Sequence, residues 1–361
     1  MNFLLTEIRD SRLLWLLVFV PLVLAGEHLW PERHTLLFLL SVLAIVPLAA
    51  MLSRATESVA ERTGDAVGGL LNATLGNLTE LVIALTALQA GQYLLVKASI
   101  AGAIVTNTLF MLGGSFLIGG LRHHEQQFNR VSARLQSSLL FLATVGLLVP
   151  SLVALADGRE AVTQSLSVGL AVLLMIAYAL SMVFSLRTHK EAFVSVAHGE
   201  AHETPWPLGV ALIILAGVTV LVALVSHVFV SSVQQAAETL GMSPAFVGFI
   251  VVAIVGAAAE IATAFSAAAK NRLDLSVGIA LGSAAQIALF VAPLLVFLSY
   301  VIGPEPMSLQ FWPGAIGMML IATMGTTLLT NGGRSAWFVG VMILMVYAIF
   351  ALTLFLLPPA A

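Results

Sequence analysis

The chain has no cysteine. Disulfides, thiolate metal sites and cysteine nucleophiles are therefore excluded. Charge is scarce as well. Only 9% of the 361 residues are Asp, Glu, Lys or Arg, and the formal net charge is -3. A water-facing surface needs far more charge than this. There is no P-loop, dinucleotide fingerprint or nucleophile motif, so an enzyme is not expected, and neither is a cofactor or a nucleic-acid partner. The strict alternation of a membrane β-barrel is missing too. What remains is apolar: 60% of the residues are hydrophobic, in long continuous runs. Lipid is the expected solvent and main partner of such a chain.

The fold expected is all-α and polytopic. Eleven spans can be read, at about 13–30, 34–52, 64–89, 93–119, 131–155, 162–187, 207–231, 243–269, 274–300, 310–330 and 334–357. Turn-forming and polar residues separate them, as at Pro31-Glu32-Arg33, Asp157-Gly158-Arg159 and Asn331-Gly332-Gly333. The first run, Leu13 to Ala25 after Arg9 and Arg12, has the outline of a signal peptide. It is read as an uncleaved helix because the topology requires it. With the N-terminus in the cytoplasm, twelve basic residues fall inside: Arg9, Arg12, Arg54, Arg62, Arg122, Arg130, Arg134, Arg187, Lys190, Lys270, Arg272 and Arg334. Only Arg33, Lys97 and Arg159 fall outside. That bias predicts an inner-membrane protein with an external C-terminus.

Residues recur at a constant offset of 180: Gly76 and Gly256, Glu80 and Glu260, Gly102 and Gly282, Phe110 and Phe290, with Thr106 and Gln286 as equivalent polar positions. The expected organisation is an extra helix (1–33), a five-helix repeat (34–188), a cytosolic linker (189–206) and a second five-helix repeat (207–361). An odd number of spans inverts the second copy. Inverted repeats place a substrate site at the midplane and support alternating access.

Glu80 and Glu260 each lie near the middle of an apolar run, where an ionised carboxylate is costly. No Lys or Arg lies deep in a span to pair with them. A bound cation or protons must then supply the counter-charge. Gly76 and Gly256 allow the helix to loosen and release carbonyl oxygens. Asn77, Thr106, Asn107, Ser283 and Gln286 add polar groups nearby, with Asn72 and Thr74 a turn or more before Glu80. Oxygen donors without cysteine or mid-span histidine suit Ca2+ or Mn2+ better than Zn2+ or Cu. Taken singly, each Ser, Thr or Asn is equally a helix-to-helix hydrogen bond. Two carboxylates hold one divalent ion or two protons at the same net charge, so the two loads exclude each other. That is the arithmetic of an exchanger.

These motifs resemble the cation/proton exchanger family of the calcium/cation antiporter superfamily. The first block runs Gly68-Gly69-Leu70-Leu71-Asn72-Ala73-Thr74-Leu75-Gly76-Asn77-Leu78-Thr79-Glu80. The second runs from Ile254-Val255-Gly256 through Glu260 to Ala280-Leu281-Gly282-Ser283-Ala284-Ala285-Gln286 and on to Pro293. The resemblance implies proton-driven export of Ca2+, with Glu80 and Glu260 binding Ca2+ and H+ in turn. It also implies an inner-membrane location and an oligomeric habit. One departure stands out. The family repeats Gly-Asn-x-x-Glu in both halves, whereas here the second copy reads Gly256-Ala257-Ala258-Ala259-Glu260. A monovalent cation/proton antiporter using the same site is the alternative, followed by a cation channel.

Two peripheral features remain. Glu57, Glu61 and Asp65 are spaced for one helix face and are candidates for recruiting cations at the cytosolic mouth. An ordinary interfacial helix balanced by Arg54 and Arg62 is the simpler reading. The linker holds His189, Glu191, His198, Glu200, His202 and Glu203, a set suited to metal binding or pH sensing, or simply to a solvated loop.

Overall fold

The computed structural model describes residues 12–63, 65–157, 160–189 and 206–357. Among them, everything regular is helical except one two-stranded ribbon. The helices are α1 (Leu13–Leu29), which opens with a 3-10 segment, α2 (His34–Thr63), α3 (Asp65–Leu75), α4 (Leu78–Gln89), α5 (Tyr93–His123), α6 (Arg130–Asp157) and α7 (Glu160–Val183). After the linker come α8 (Leu208–Thr239), α9 (Pro244–Gly256), α10 (Ala258–Ala269), α11 (Leu273–Ser299), α12 (Pro313–Thr330) and α13 (Trp337–Leu356).

Eight of these helices are long and apolar enough to cross a membrane, and the α9–α10 pair makes a ninth bent by 59°. The shorter α1 and the broken pair α3–α4 complete the eleven expected crossings. The third expected span is thus two helices, parted at Gly76–Asn77. Its counterpart parts at Ala257, directly after Gly256. Helix α2 runs on to Thr63, past the expected end at 52. At 1.5 Å per residue it is about 45 Å long against a hydrocarbon layer of about 30 Å, and the surplus, Ser53 to Thr63, is polar.

The 180-residue offset survives in the architecture. Helix α2 corresponds to α8, the α3–α4 pair to α9–α10, α5 to α11, α6 to α12 and α7 to α13. The π-helical stretches of the two central helices correspond, Thr106–Met111 within α5 and Ile287–Val291 within α11, whereas Val247–Val252 of α9 is π-helical and its counterpart in α3 is α-helical. The sequence did not announce these stretches. Helices α5 and α11 form the centre of the bundle and are the most buried, whereas α7, α8 and α13 bury far less of themselves. Leu173, Ile213 and Leu352 stand exposed on those outer helices, as a lipid-facing surface requires. Lipid is as apolar as leucine, so close approach of small residues holds the helices together. A Cβ on Gly340 of α13 would fall 2.4 Å from Leu117 N of α5, and one on Gly102 of α5 would fall 2.2 Å from Phe249 O of α9. Helices α2 and α8 pack along their length, with the Phe38 and Phe229 rings stacked at 5.3 Å.

The ribbon pairs β1 (Glu125–Gln127) with β2 (Arg334–Ala336) and ties the end of α5 to the start of α13. Its Gln126 side chain donates to Ala268 O and to Asn271 Oδ1, and His123 meets Ala269 O at 3.1 Å. The carbonyl end of α10 is therefore capped by side chains from the other half of the chain. Glu57 and Glu61 belong to the projecting end of α2, while Asp65 opens α3. Helix α3 folds back on α2, with Gly68 against Ala60, so the three do not share one continuous helix face.

Candidate ion-binding site

The two helix breaks meet in the middle of the bundle and make the site. Each break ends one half-helix and begins another. Glu80 sits in the first turn of α4 and Glu260 in the first turn of α10. The positive end of a helix macrodipole steadies an anion there. Helices α3 and α9 end at the same breaks and turn their unpaired carbonyls toward them. A broken span therefore offers both a supported carboxylate and spare backbone oxygens, which an unbroken helix cannot.

The break glycines cradle side chains from the opposite repeat. A Cβ on Gly256 would stand 3.0 Å from Glu80 Cγ and 3.4 Å from its Oε1. A Cβ on Gly76 would stand 3.3 Å from Gln286 Oε1. The carboxyls of Glu80 and Glu260 are close enough for their charges to interact, and Ser283 stands near Glu260. No Lys or Arg among the described residues is paired with either acid.

A hydrogen-bond chain runs through the same place. Asn107 Nδ2 donates to Ser283 Oγ at 2.9 Å, and Ser283 Oγ donates to Asn77 Oδ1 at 2.7 Å. All three side chains are buried. Four buried polar atoms at the site are left without a hydrogen-bond partner: Asn77 Nδ2, Asn107 Oδ1, Glu260 Oε2 and Gln286 Nε2. Orphans of this kind cost free energy when dry, and their concentration around two carboxyls marks a place built for a polar guest. Glu80 and Glu260 themselves are only half-buried, so each keeps some accessible surface. Among the described residues no cluster of three His, Asp or Glu side chains forms. A divalent ion here would rely on amide, hydroxyl and backbone oxygens beside the two carboxylates, a donor set that suits a hard cation.

Of the residues expected from the sequence, Gly76, Asn77, Glu80, Asn107, Gly256, Glu260, Ser283 and Gln286 are brought together. Thr106 is buried beside them, but its hydroxyl meets Tyr347 OH at 3.1 Å, which ties α5 to α13. Tyr347 was not anticipated, because an isolated aromatic in an apolar helix carries no signal of its own. Glu57 lies near enough for its charge to reach Glu260, and it accepts a hydrogen bond from Ser53 at 3.2 Å. Arg54 lies over the Trp206 ring at 5.7 Å, and Arg62 Nε donates to Trp206 O at 3.3 Å. Apart from His189, which stacks on Phe184, the His/Glu set of the linker lies outside the described residues.

The loss of Asn at 257 is not an isolated change. The counterparts of Asn77, Ser283 and Asn107 at the 180-residue offset are Ala257, Ala103 and Ile287. All three are buried. A polar chain that joins the two repeats is matched, at the equivalent place, by an apolar trio, so the missing amide leaves no orphaned partner behind.

The two repeats also differ in how tightly they close. Gly102 of α5 is pressed on Phe249 of α9, and Gly248 of α9 is pressed on Ala98 and Leu95 of α5. At the equivalent seam between α11 and α3, Gly282 has nothing within 4 Å. Helix α3 rests instead on α2, with Gly68 against Ala60, and on the end of α7, with Gly69 against Leu186. Its Val67 and Leu70 are exposed.

The chain matches the family described as sodium/calcium exchanger protein over residues 33–187 and 210–356. It is 42% identical to the Ca(2+)/H(+) antiporter of Synechocystis sp., over 97% of this chain and 98% of that one. It is 39% identical to the Ca(2+)/H(+) antiporter ChaA of Bacillus subtilis, over 96% and 100% respectively. The solved structure of native YfkE superposes with a TM-score of 0.82 at 36% identity, covering 96% of this chain and all of that one. The H+/Ca2+ exchanger CAX shares the fold, with a TM-score of 0.75 at 16% identity over 97% of this chain and 88% of that one. The chain is a multi-pass membrane transporter belonging to the sodium/calcium exchanger protein family, within which its resemblance to the cation/proton exchangers holds.

Proposed function

We propose that this protein exchanges cytosolic Ca2+ for H+ by alternating access, with Glu80 and Glu260 holding one Ca2+ or two protons in turn. The observation that carries the reading is the meeting of two carboxyls, each on its own half-helix, with no basic partner and with unsatisfied amides around them. The names of the relatives point the same way.

The chemistry follows from charge. Withdrawal from water favours the neutral form of a carboxyl, so two protons satisfy the pair in a dry site. One Ca2+ satisfies it equally, with Asn107 Oδ1, Gln286 Oε1 and the carbonyls at the helix breaks completing its oxygen shell. An empty, doubly ionised site is the costly state. The transporter therefore crosses between its two faces loaded with one partner or the other. Ala257 removes one amide from the symmetric arrangement and leaves the shell more dependent on the first repeat.

The tight α5–α9 seam and the loose α3–α11 seam support a conformation open to one side only. With the arginine-rich face in the cytoplasm, that side is cytosolic, and Glu57 stands at its mouth. Exchange of the two seams between repeats would carry the site to the other face.

Everted membrane vesicles holding an acid-inside gradient test the reading. Added Ca2+ is expected to dissipate the gradient, while Na+ and K+ leave it intact. Dissipation by the monovalent ions alone would overturn the choice of ion. Passage of Ca2+ through proteoliposomes with no counter-movement of protons would make the protein a channel.

A further inference from the structure

A machine of two inverted copies presents equivalent surfaces to its two solutions, so unequal affinity must come from positions where the copies differ. The largest difference near the two access routes is one of charge. Beside the loose seam Glu57, Glu61 and Asp65 correspond to Ala237, Gly241 and Ala245, and Arg54 and Arg62 to Gln234 and Met242; three acids less two bases leave a net difference of one negative charge. At the tight seam the difference has the opposite sign: Lys97, one turn into α5, corresponds to the buried Val277 of α11.

Lys97 lies one turn inside the end of α5 that is expected to lie outside, and it is not paired with either glutamate. It is half-buried. Among the described residues its only hydrogen-bond partner is Ser308 Oγ at 3.3 Å, and it has no carboxylate at ion-pair distance. The half-buried ammonium, held by one hydroxyl and facing no carboxylate, has no neighbour to neutralise its charge. Its position is at the flank of the outer seal. Ala98, the next residue, lies under Gly248. Ser308 belongs to the 300–312 loop, which caps the outer ends of the helices. Tyr93 OH donates to Glu305 O at 2.5 Å, Leu309 N donates to Ser167 Oγ, and Phe311 N donates to Ser151 Oγ. The loop ends at Trp312, whose ring meets the edge of Phe249, the residue sealed on Gly102.

We propose that Lys97 is a specificity-determining residue that weakens the binding of a divalent cation arriving from the outer face, and so makes a pseudo-symmetric exchanger load preferentially from its acidic mouth. The ammonium does not touch the bound ion. It repels a divalent cation along the outer route, while the helix bundle separates it from the inner one. The inference rests on the exchange reading above.

The test uses full-length protein of one orientation in proteoliposomes, with half-saturation by Ca2+ measured separately from each face under opposed proton gradients. Lys97→Met is expected to lower half-saturation at the outer face by roughly tenfold, the order set by a unit charge acting on a divalent ion in a partly wet interior. Half-saturation at the cytosolic face and the maximal rate should stay as in the wild type. Ser308→Asp, which neutralises the ammonium without removing it, should reproduce the shift. Lys97→Arg should not. Equal shifts at both faces, or no shift in either neutralising variant, would overturn the proposal while leaving exchange itself intact. Absence of Ca2+-driven proton movement in the wild type would instead overturn the exchange reading.

Discussion

At the scale of single residues, the proposed site depends on two carboxyls. Each opens a half-helix and neither has a basic partner, but Glu80 lies against the opposite break glycine, Gly256, whereas Gly76 meets Gln286 and Glu260 keeps an oxygen without a hydrogen-bond partner. Glu80→Gln and Glu260→Gln keep the size and most hydrogen bonds of the side chain but remove the titrating charge. Each single variant is expected to abolish Ca2+-dependent proton movement, down at least a hundredfold, while insertion and melting in detergent remain near wild type. Near-normal flux in either variant would remove the basis of the mechanism. The apolar trio Ala257, Ala103 and Ile287 supports a second prediction. Ala257→Asn restores the family motif but buries an amide whose counterpart's partner, Ser283, is here Ala103. It should cost about 1–3 kcal/mol of stability, the range for an unsatisfied buried polar group. Adding Ala103→Ser should recover part of that loss, a coupling that a double-mutant cycle in thermal melting measures.

At the scale of helices, the two seams are the elements with something to do. Gly102 and Gly282 are equivalent in sequence but not in surroundings: one faces the backbone of Phe249 and the other faces open space. Gly102→Ala forces two backbones apart, because Phe249 O would lie 2.2 Å from the new Cβ. It should lower the melting temperature of the purified protein by several degrees, as overpacking of about 1–3 kcal/mol does. Gly282→Ala meets no obstacle here and gains up to about 1 kcal/mol of helix propensity, so its melting temperature should hold or rise slightly. Both variants should nonetheless slow transport if the seams exchange as proposed, since Gly282 would then be pressed where Gly102 is pressed now. Unimpaired transport by Gly282→Ala would mean that the α3–α11 seam never closes.

At the scale of the whole molecule, the absence of cysteine makes cross-linking a clean probe. A Cβ on Gly248 would fall 2.6 Å from Ala98 Cβ, close enough for an engineered disulfide after small adjustment. The pair Ala98→Cys with Gly248→Cys should cross-link readily and stop transport until reduced. Its counterpart, Gly68→Cys with Gly278→Cys, should cross-link more slowly, and faster under conditions that hold the protein open to the outside. Failure of the second pair to link under any gradient would contradict exchange of the seams. Maleimide labelling of single cysteines near Lys270 and near Gly303 checks the orientation, with the Lys270 side expected to react from the cytoplasm.

Class and span number were legible in the amino-acid order, and so was the placing of two glutamates at a constant offset within apolar helices, because each is a local or periodic property. A long apolar run signals a span whatever surrounds it, and a carboxyl within such a run is conspicuous by its cost. The glycine-marked breaks could be anticipated for the same reason: a residue without Cβ weakens a helix wherever it sits. The site's wiring was not legible. Nothing local separates Ser283, which joins Asn77 to Asn107, from Thr106, which turns to Tyr347 instead. The folding back of α3 on α2 interrupts a spacing from Glu61 to Asp65 that looked continuous. The unequal seams were hidden most deeply, since Gly102 and Gly282 are the same residue in equivalent places. Whether a helix surface is covered or bare depends on where another helix lies, and for two copies of one design that is settled only by packing in three dimensions.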